Sequence, residues 1–271
     1  MIAQELTGEE FTRYSRQMLL PEIGFEGQHK LRNARVCIIG AGGLGSPAAL
    51  YLVAAGVGTI GLVDFDRVDR SNLHRQTLYS TSDIGRLKVE AAKDRLAAMN
   101  PNITIETHAC RLDKNNAQAI LSRYDLILDG SDNFETRYLV NDVAVALGKP
   151  VVFGSIYQFG GQVSVFGTQE GPCYRCLFPE IPPASEIPSC AIAGVLGVLP
   201  GMIGMLQATE AIKLITRIGV PLLGRILTYD ALRMQFREIR LDKDTDCPVC
   251  SETAQAAREA SYSFAENSFE E

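Results

Sequence analysis

The sequence predicts an α/β protein whose Rossmann-like, doubly wound and mostly parallel sheet is extended by antiparallel strands. Short apolar runs alternate with helical segments as far as residue 153, a pattern typical of successive β-α-β units. A glycine-rich turn joins the first of these runs to a helix. After residue 153 the strand-like runs change character, which indicates antiparallel neighbours added to the same sheet.

Residues 1–33 are expected to form a helical arm in front of the sheet. Thr7 and Glu10 have the spacing of a capping box, which begins a helix, and a second short helix is expected over 28–33. The β-branched run 36–39 predicts the first strand and 46–55 the first helix of the β-α-β unit. The next apolar run predicts a second strand that ends at Asp64.

The alternation continues through the middle of the chain. Further helices are expected at 87–98, 115–122, 134–147 and 202–216. Further strands are expected at 103–107, 126–129, 151–153, 162–166, 225–229 and 235–241. We therefore expect one domain over 1–250, followed by an acidic, mobile tail over 251–271.

Composition narrows the class of protein. A net charge of −6 argues against general binding to nucleic acid or to an anionic membrane. The N-terminal residues have neither a basic segment nor an apolar one, so they predict no secretory signal and a cytoplasmic protein.

A glycine-rich loop is the strongest functional signal. Gly40, Gly42 and Gly45 have the G-x-G-x-x-G spacing between a predicted strand and a helix, and Gly43 adds a fourth glycine. Such glycines allow a tight turn, close approach of a phosphate and close helix–strand packing. The start of the following helix also favours an anion, so we expect a nucleotide here.

Acidic residues follow the predicted parallel strands. Asp64 and Asp66, at the end of the second strand, can accept hydrogen bonds from a ribose. Asp132 and Asn133 follow the strand at 126–129 and should face the same crevice, where Asp132 could hold Mg²⁺. The alternative for Asp132 is an Asx turn or a cap of the next helix.

Two cations could neutralise phosphates. Lys88 is expected in the first turn of its helix, where the helix dipole disfavours a cation unless an anion lies nearby. Arg75 belongs to a polar cluster with Ser71, Asn72 and His74. The alternative is that both cations are solvated surface charges.

Four of the seven cysteines form two C-x-x-C pairs. The pairs Cys173/Cys176 and Cys247/Cys250 could form one tetrahedral zinc site that fastens the end of the domain to its middle. Two disulfides or a redox pair are the alternatives, and a cytoplasmic location weakens the first. Cys190 follows a proline-rich loop, where it is either a nucleophile or a residue of no chemical consequence.

In these motifs the chain resembles the MoeB/ThiF group, bacterial relatives of ubiquitin-activating enzymes that adenylate ubiquitin-fold sulfur-carrier proteins. The resemblance covers roughly residues 10–250. It rests on R-Y-S-R-Q at 13–17, G-A-G-G-L-G at 40–45, D-F-D at 64–66, S-N-L-H-R-Q at 71–76, G-R-L-K at 85–88, S-D-N at 131–133, P-C-Y-R-C-L at 172–177, A-G-V-L-G at 193–197, L-Q-A-T-E-A-I-K at 206–213 and C-P-V-C at 247–250.

The resemblance implies ATP, Mg²⁺ and structural Zn²⁺ as cofactors. The residues it places around the nucleotide are Gly40, Gly42, Gly43, Gly45, Asp64, Asp66, Ser71, Asn72, Leu73, His74, Arg75, Lys88, Asp132 and Asn133. It implies that Arg16 reaches across from the other subunit of a homodimer and that the four paired cysteines bind zinc. Cys190 aligns with a position that takes part in thioester or acyl-disulfide chemistry in ThiF-like members and is dispensable for adenylation in MoeB-like ones.

The reaction implied needs no general base. The carrier's C-terminal Gly-Gly carboxylate would attack the α-phosphate of ATP, leaving an acyl adenylate and pyrophosphate. A carboxylate is already an anion, so catalysis would depend on alignment and on charge neutralisation by Arg16, Arg75, Lys88 and Mg²⁺. The chain lacks a rhodanese-like domain, so a separate sulfur donor is expected, for molybdopterin, thiamine or tRNA-thiolation biosynthesis.

Two other classes of protein share parts of this pattern. An NAD-dependent oxidoreductase also uses G-x-G-x-x-G and a strand-end acid, but it would leave Arg16, Lys88 and Asp132 unexplained. A non-catalytic scaffold of the same fold would be expected to lack the phosphate-binding residues.

Overall fold

The computed structural model describes residues 6–168, 170–183, 194–254 and 256. Its strands are β1 (Arg35–Ile39), β2 (Thr59–Val63), β3 (Thr104–His108), β4 (Leu126–Asp129), β5 (Val151–Tyr157), β6 (Gly160–Phe166), β7 (Arg225–Asp230) and β8 (Gln235–Arg240). They form one sheet in the order β3-β2-β1-β4-β5-β6-β7-β8. Pairing is parallel from β3 to β5 and antiparallel from β5 to β8, as the sequence predicts.

The helices of the described residues are α1 (Gly8–Met18), α2 (Gly24–Asn33), α3 (Gly45–Ala55), α4 (Lys88–Met99), α5 (Ala117–Leu121), α6 (Phe134–Ala146), α7 (Tyr174–Leu177) and α8 (Leu199–Thr216). The capping box of α1 is confirmed, because Thr7 N–H donates to Glu10 Oε2 and Glu10 N–H to Thr7 Oγ1. The starts of α2 and α8 lie four and three residues before those expected. Their N-cap residues are the apolar Ile23 and Val198, which give no capping signal in the sequence.

The two faces of the sheet carry separate apolar cores. Alternate residues of β1 belong to them: Val36 and Ile38 to one, Cys37 and Ile39 to the other. The first core includes residues of α3, α4 and α8, and the second includes residues of α5 and α6. The sheet is therefore covered on both faces, as expected for a doubly wound fold.

Strand order reverses between β1 and β4, because β2 and β3 lie to one side of β1 and β4 and β5 to the other. Ligands of open α/β sheets bind outside the carboxyl ends of the strands at such a point. In the described part of the chain, no helix is both long and apolar enough to cross a membrane.

Candidate active site

A cavity of about 810 Å³ lies at the carboxyl ends of β1, β2 and β4. Small-molecule sites typically measure roughly 300–1,000 Å³. Most residues expected around a nucleotide line it, namely Gly40, Gly42, Gly43, Asp64, Asp66, Ser71, His74, Arg75, Lys88, Asp132 and Asn133. Segments distant in sequence thus meet at the expected edge of the sheet.

The glycines of the loop have different structural roles. Gly40 has a φ of +85°, and a Cβ on it would lie 2.9 Å from Gly130 O. A Cβ on Gly45 would lie 2.0 Å from Gly40 O, so only glycine allows α3 to begin this close to β1. A Cβ on Gly42 would meet only the Gln76 amide, at 3.6 Å. The first and third glycines therefore build the turn, whereas the second leaves its backbone open to the cavity.

Side chains hold the loop at Ala41. The Ala41 N–H donates to Asp64 Oδ2 at 2.9 Å, and the Ala41 carbonyl accepts from the Tyr79 hydroxyl at 2.7 Å. Asp64 Oδ1 also accepts from the Asp66 N–H at 2.8 Å. Burial raises the pKa of the Asp64 carboxyl above its usual value, and the charge of Lys88 opposes that rise. Asp64 thus fixes the glycine loop as well as lining the cavity.

Lys88 is not a solvated surface charge. It is the first residue of α4, it is 5% exposed, and its Nζ lies 2.9 Å from Asp66 Oδ2. Arg75 is half-buried, and its Nη1 donates to the Ser71 carbonyl at 2.9 Å. Both cations line the cavity beside the glycine loop.

Asn133, not Asp132, caps α6. The Asn133 side chain accepts the Thr136 N–H at 2.9 Å, so the capping alternative considered for Asp132 is wrong. The exposed Asp132 side chain lines the cavity immediately before this cap. A hard divalent cation bound to phosphates would find a carboxylate here.

Some predicted site residues of the described chain do not line this cavity, and Gly45, the first residue of α3, is one of them. Asn72 and Leu73 do not line the cavity; the Asn72 carbonyl instead accepts the Arg75 N–H at 3.0 Å and shapes the turn that carries Arg75. Arg16 is exposed on α1, outside the cavity lining, and its supply from a second subunit remains a prediction. Cys190 lies outside the described residues.

Among the further polar side chains that line the cavity are Gln76, Ser131 and Arg137. Each has a buried atom without a hydrogen-bond partner among the described residues, namely Gln76 Oε1, Ser131 Oγ and Arg137 Nε. Buried polar atoms are normally paired, so these atoms fit a cavity that takes a polar ligand. Arg137 could have been found in the sequence by the signal used for Lys88, a cation near the start of a helix.

The paired cysteines converge at a second site. The sulfur atoms of Cys173, Cys176, Cys247 and Cys250 all lie within 4.8 Å of one another. Cys173 Sγ is 3.6 Å from Cys247 Sγ, and Cys176 Sγ is 3.3 Å from Cys250 Sγ. Tetrahedral zinc with Zn–S bonds of about 2.3 Å requires S···S edges of about 3.8 Å, so the arrangement fits zinc better than disulfides.

The first cysteine pair is fastened to α6. The Tyr174 N–H donates to Asn141 Oδ1 at 2.7 Å, and the Arg175 guanidinium makes two bonds of 2.8 Å to the Asp142 carboxylate. The second pair follows β8 in the chain. A metal held by four thiolates would have no open position, which is typical of a structural site.

Loss of one thiolate is expected to release the metal and lower the Tm by several degrees. In Cys250→Ser the ligand set is incomplete, and the binding free energy of a structural metal contributes directly to folding. Zinc analysis and thermal unfolding measure both effects. Cys110→Ser, which changes a half-buried thiol outside the cluster, is the control. Equal zinc content and Tm in Cys250→Ser and the unmodified chain would contradict a metal at this cluster.

These features define an α/β nucleotide-binding protein with a cysteine cluster beside its sheet. Residues 14–249 match the ThiF family, and the chain belongs to that family. The sulfur carrier protein adenylyltransferase of Thermus thermophilus is 55% identical over 91% of this chain and 93% of its own length. The SAMP-activating enzyme E1 of Haloferax volcanii is 47% identical over 91% of each chain.

A longer relative and a solved structure complete the comparison. The probable adenylyltransferase/sulfurtransferase MoeZ of Mycobacterium tuberculosis is 54% identical over 92% of this chain, which spans only 65% of MoeZ. The structure of Escherichia coli MccB with ATP has a TM-score of 0.77 and 22% identity, and the match covers 91% of this chain and 82% of MccB. At that identity the likeness establishes the fold, which confirms the expected fold class.

Proposed function

We propose that this chain is an ATP-dependent adenylyltransferase that activates the C-terminal Gly-Gly carboxylate of a ubiquitin-fold sulfur-carrier protein. The observation that carries the proposal is the convergence of the glycine loop, Asp132 and several cations in one cavity. The cationic side chains that line it are Arg75, Lys88, Arg111 and Arg137. The names of the similar proteins point to the same activity.

The cavity supplies what phosphoryl chemistry between two anions requires. The carrier carboxylate would form a bond to the α-phosphorus of ATP as the bond to pyrophosphate breaks. Lys88 and Arg75 lie beside the glycine loop, where they would neutralise the phosphates and help to align them. Asp132 would hold Mg²⁺, and the ion would supply positive charge to neutralise the phosphates. Asp64 would bind the ribose through the remaining acceptor capacity of its carboxylate.

The working protein is proposed to be a cytoplasmic homodimer. A second subunit would supply Arg16, which this chain places away from its own cavity. Zn²⁺ in the cysteine cluster would be structural, and a separate sulfurtransferase or desulfurase would supply sulfur to the activated carrier. Cys190 is proposed to act after adenylation, when the acyl adenylate is consumed.

Carrier-dependent ATP–pyrophosphate exchange tests the proposal. We expect exchange only when Mg²⁺ and one member of a panel of ubiquitin-fold carriers ending in Gly-Gly are both present. Deleting the last glycine of that carrier shortens its C-terminus, so its carboxylate should no longer reach the α-phosphorus of ATP and exchange should cease. No exchange with any carrier, together with tight binding of NAD, would overturn the proposal in favour of an oxidoreductase.

A further inference from the structure

The peptide group that joins Ala41 to Gly42 is bonded on one edge and open on the other. Its carbonyl, that of Ala41, accepts from the Tyr79 hydroxyl at 2.7 Å and from Ser46 Oγ at 3.4 Å. Its N–H, that of Gly42, takes part in none of the hydrogen bonds of the described residues. Because Gly42 lines the cavity, this N–H is available to a ligand.

The two edges of this peptide group face opposite ways. The peptide is trans and planar, so its carbonyl and its N–H point in opposite directions. Tyr79 and Ser46, the two donors to the carbonyl, are buried, so the carbonyl faces the protein interior. The Gly42 N–H therefore points away from the interior, on the side of the cavity.

The preceding peptide group is fixed as well. The Ala41 N–H donates to Asp64 Oδ2 at 2.9 Å, and Ala41 itself is buried. Since both peptide groups that flank Ala41 are bonded, its two soft backbone dihedrals have little freedom. The direction of the Gly42 N–H is thus set before a ligand arrives, which lowers the entropy cost of binding.

Tyr79 also joins the glycine loop to the turn that carries Arg75. It follows Arg75 by four residues, and its N–H donates to the Gln76 carbonyl at 3.2 Å. Burial and the nearby Asp64 carboxylate raise the pKa of the Tyr79 hydroxyl, which therefore keeps its proton and remains a donor. This hydroxyl holds the loop against a segment that supplies a cation to the same cavity.

We infer that Tyr79 is a positioning residue that aims the Gly42 N–H at a phosphate oxygen of the nucleotide. A phosphate is the expected acceptor because Gly42 lies just before the start of α3 and lines the cavity together with Arg75 and Lys88. The inference rests on the proposed function for the identity of the nucleotide, ATP. Tyr79 does not line the cavity, so it would act on ATP only through the backbone of the loop.

Tyr79→Phe tests the inference because it removes one hydroxyl and keeps the ring. We expect the Kd for ATP, measured by calorimetric titration with Mg²⁺ present, to rise about fivefold, as for the loss of one buried hydrogen bond. The Kd for adenosine, measured by competition against ATP, should not change, because adenosine has no phosphate. A tyrosine that only stabilised the fold of the loop would affect both ligands alike.

Tyr124→Phe is the matched control. Tyr124 is also buried, but its hydroxyl donates to Glu106 Oε2 at 2.8 Å, and neither residue lines the cavity. The Kd for ATP should therefore equal that of the unmodified chain. Ser46→Ala removes the longer bond to the Ala41 carbonyl, so it should raise the Kd for ATP by about twofold, and it gives the same comparison if Tyr79→Phe does not fold.

Three results would overturn the inference. They are an unchanged Kd for ATP in Tyr79→Phe (or in Ser46→Ala, if Tyr79→Phe does not fold), equal weakening of ATP and adenosine, and an equal shift in Tyr124→Phe. Absence of ATP binding by the unmodified chain would instead count against the proposed function.

Discussion

Replacing Gly45 with alanine is expected to destabilise the protein by about 3 kcal/mol and to abolish ATP binding. The added Cβ would lie 2.0 Å from the backbone oxygen of Gly40 and 3.1 Å from Ile38 Cγ2. Neither neighbour is the end of a flexible side chain, so the turn and the start of α3 must separate. Chemical denaturation and calorimetric titration with ATP measure the two losses.

Gly42→Ala is the matched control for this substitution. Its Cβ would meet only Gln76 Nε2, at 3.6 Å, so the fold should keep its stability. Because Gly42 lines the cavity, ATP binding should still weaken, by about tenfold or more. A Gly45→Ala protein with unchanged stability would show that the close contact in the loop is not a structural requirement. Equal destabilisation by both substitutions would contradict the division of roles between the two glycines.

The loop could be predicted from the sequence because its contacts are local. Gly40 and Gly45 meet each other across a turn of six residues, and the motif spacing encodes that meeting. The cysteine cluster was predictable for another reason, since two C-x-x-C pairs have few chemical uses other than metal binding. In both cases the residue types and the spacing carry the information.

The residues that fix the strands beneath the cavity could not be predicted from the sequence in this way. Gln207 in α8 donates to the carbonyls of Asp129 and Val152, at 2.8 and 3.1 Å, and so fastens β4 to β5. The hydrogen bond from the Tyr174 N–H to Asn141 Oδ1 likewise joins segments distant in the chain. No local pattern marks such pairs, because the tertiary fold alone brings them together.

The sequence alone does not determine which residue caps α6. Asp132 and Asn133 are adjacent, and both types of side chain cap helices well. The structure gives the cap to Asn133 and leaves Asp132 in the cavity. The choice decides which residue is available to a metal, and it depends on where α6 begins relative to β4.

Lys88→Met is expected to lower kcat/KM for carrier-dependent exchange by about 100- to 1,000-fold, the effect of removing one preorganised charge from a reaction site. Stability should change little, because the dipole of α4 disfavours a cation at its first residue and the partner Asp66 stays half exposed. Lys93→Met, on the exposed face of the same helix, is the control and should leave exchange unchanged. Equal activity of the two variants would contradict a role for Lys88 at the phosphates.

The pH dependence of the Lys88→Met protein tests a second effect of the Lys88 charge, its influence on the pKa of Asp64. Burial already raises the pKa of the Asp64 carboxyl, and the positive charge of Lys88 is the largest influence that opposes this. Removing Lys88 should raise the pKa of Asp64 further, so that Asp64 takes up its proton at a higher pH. Protonation makes one carboxylate oxygen of Asp64 a donor, which weakens the acceptance of hydrogen bonds from the Ala41 N–H and from a ribose hydroxyl. The residual exchange of Lys88→Met should therefore fall at a higher pH than that of the unmodified chain as the solution is acidified. An unshifted pH profile with a lowered rate would assign Lys88 to the phosphates alone.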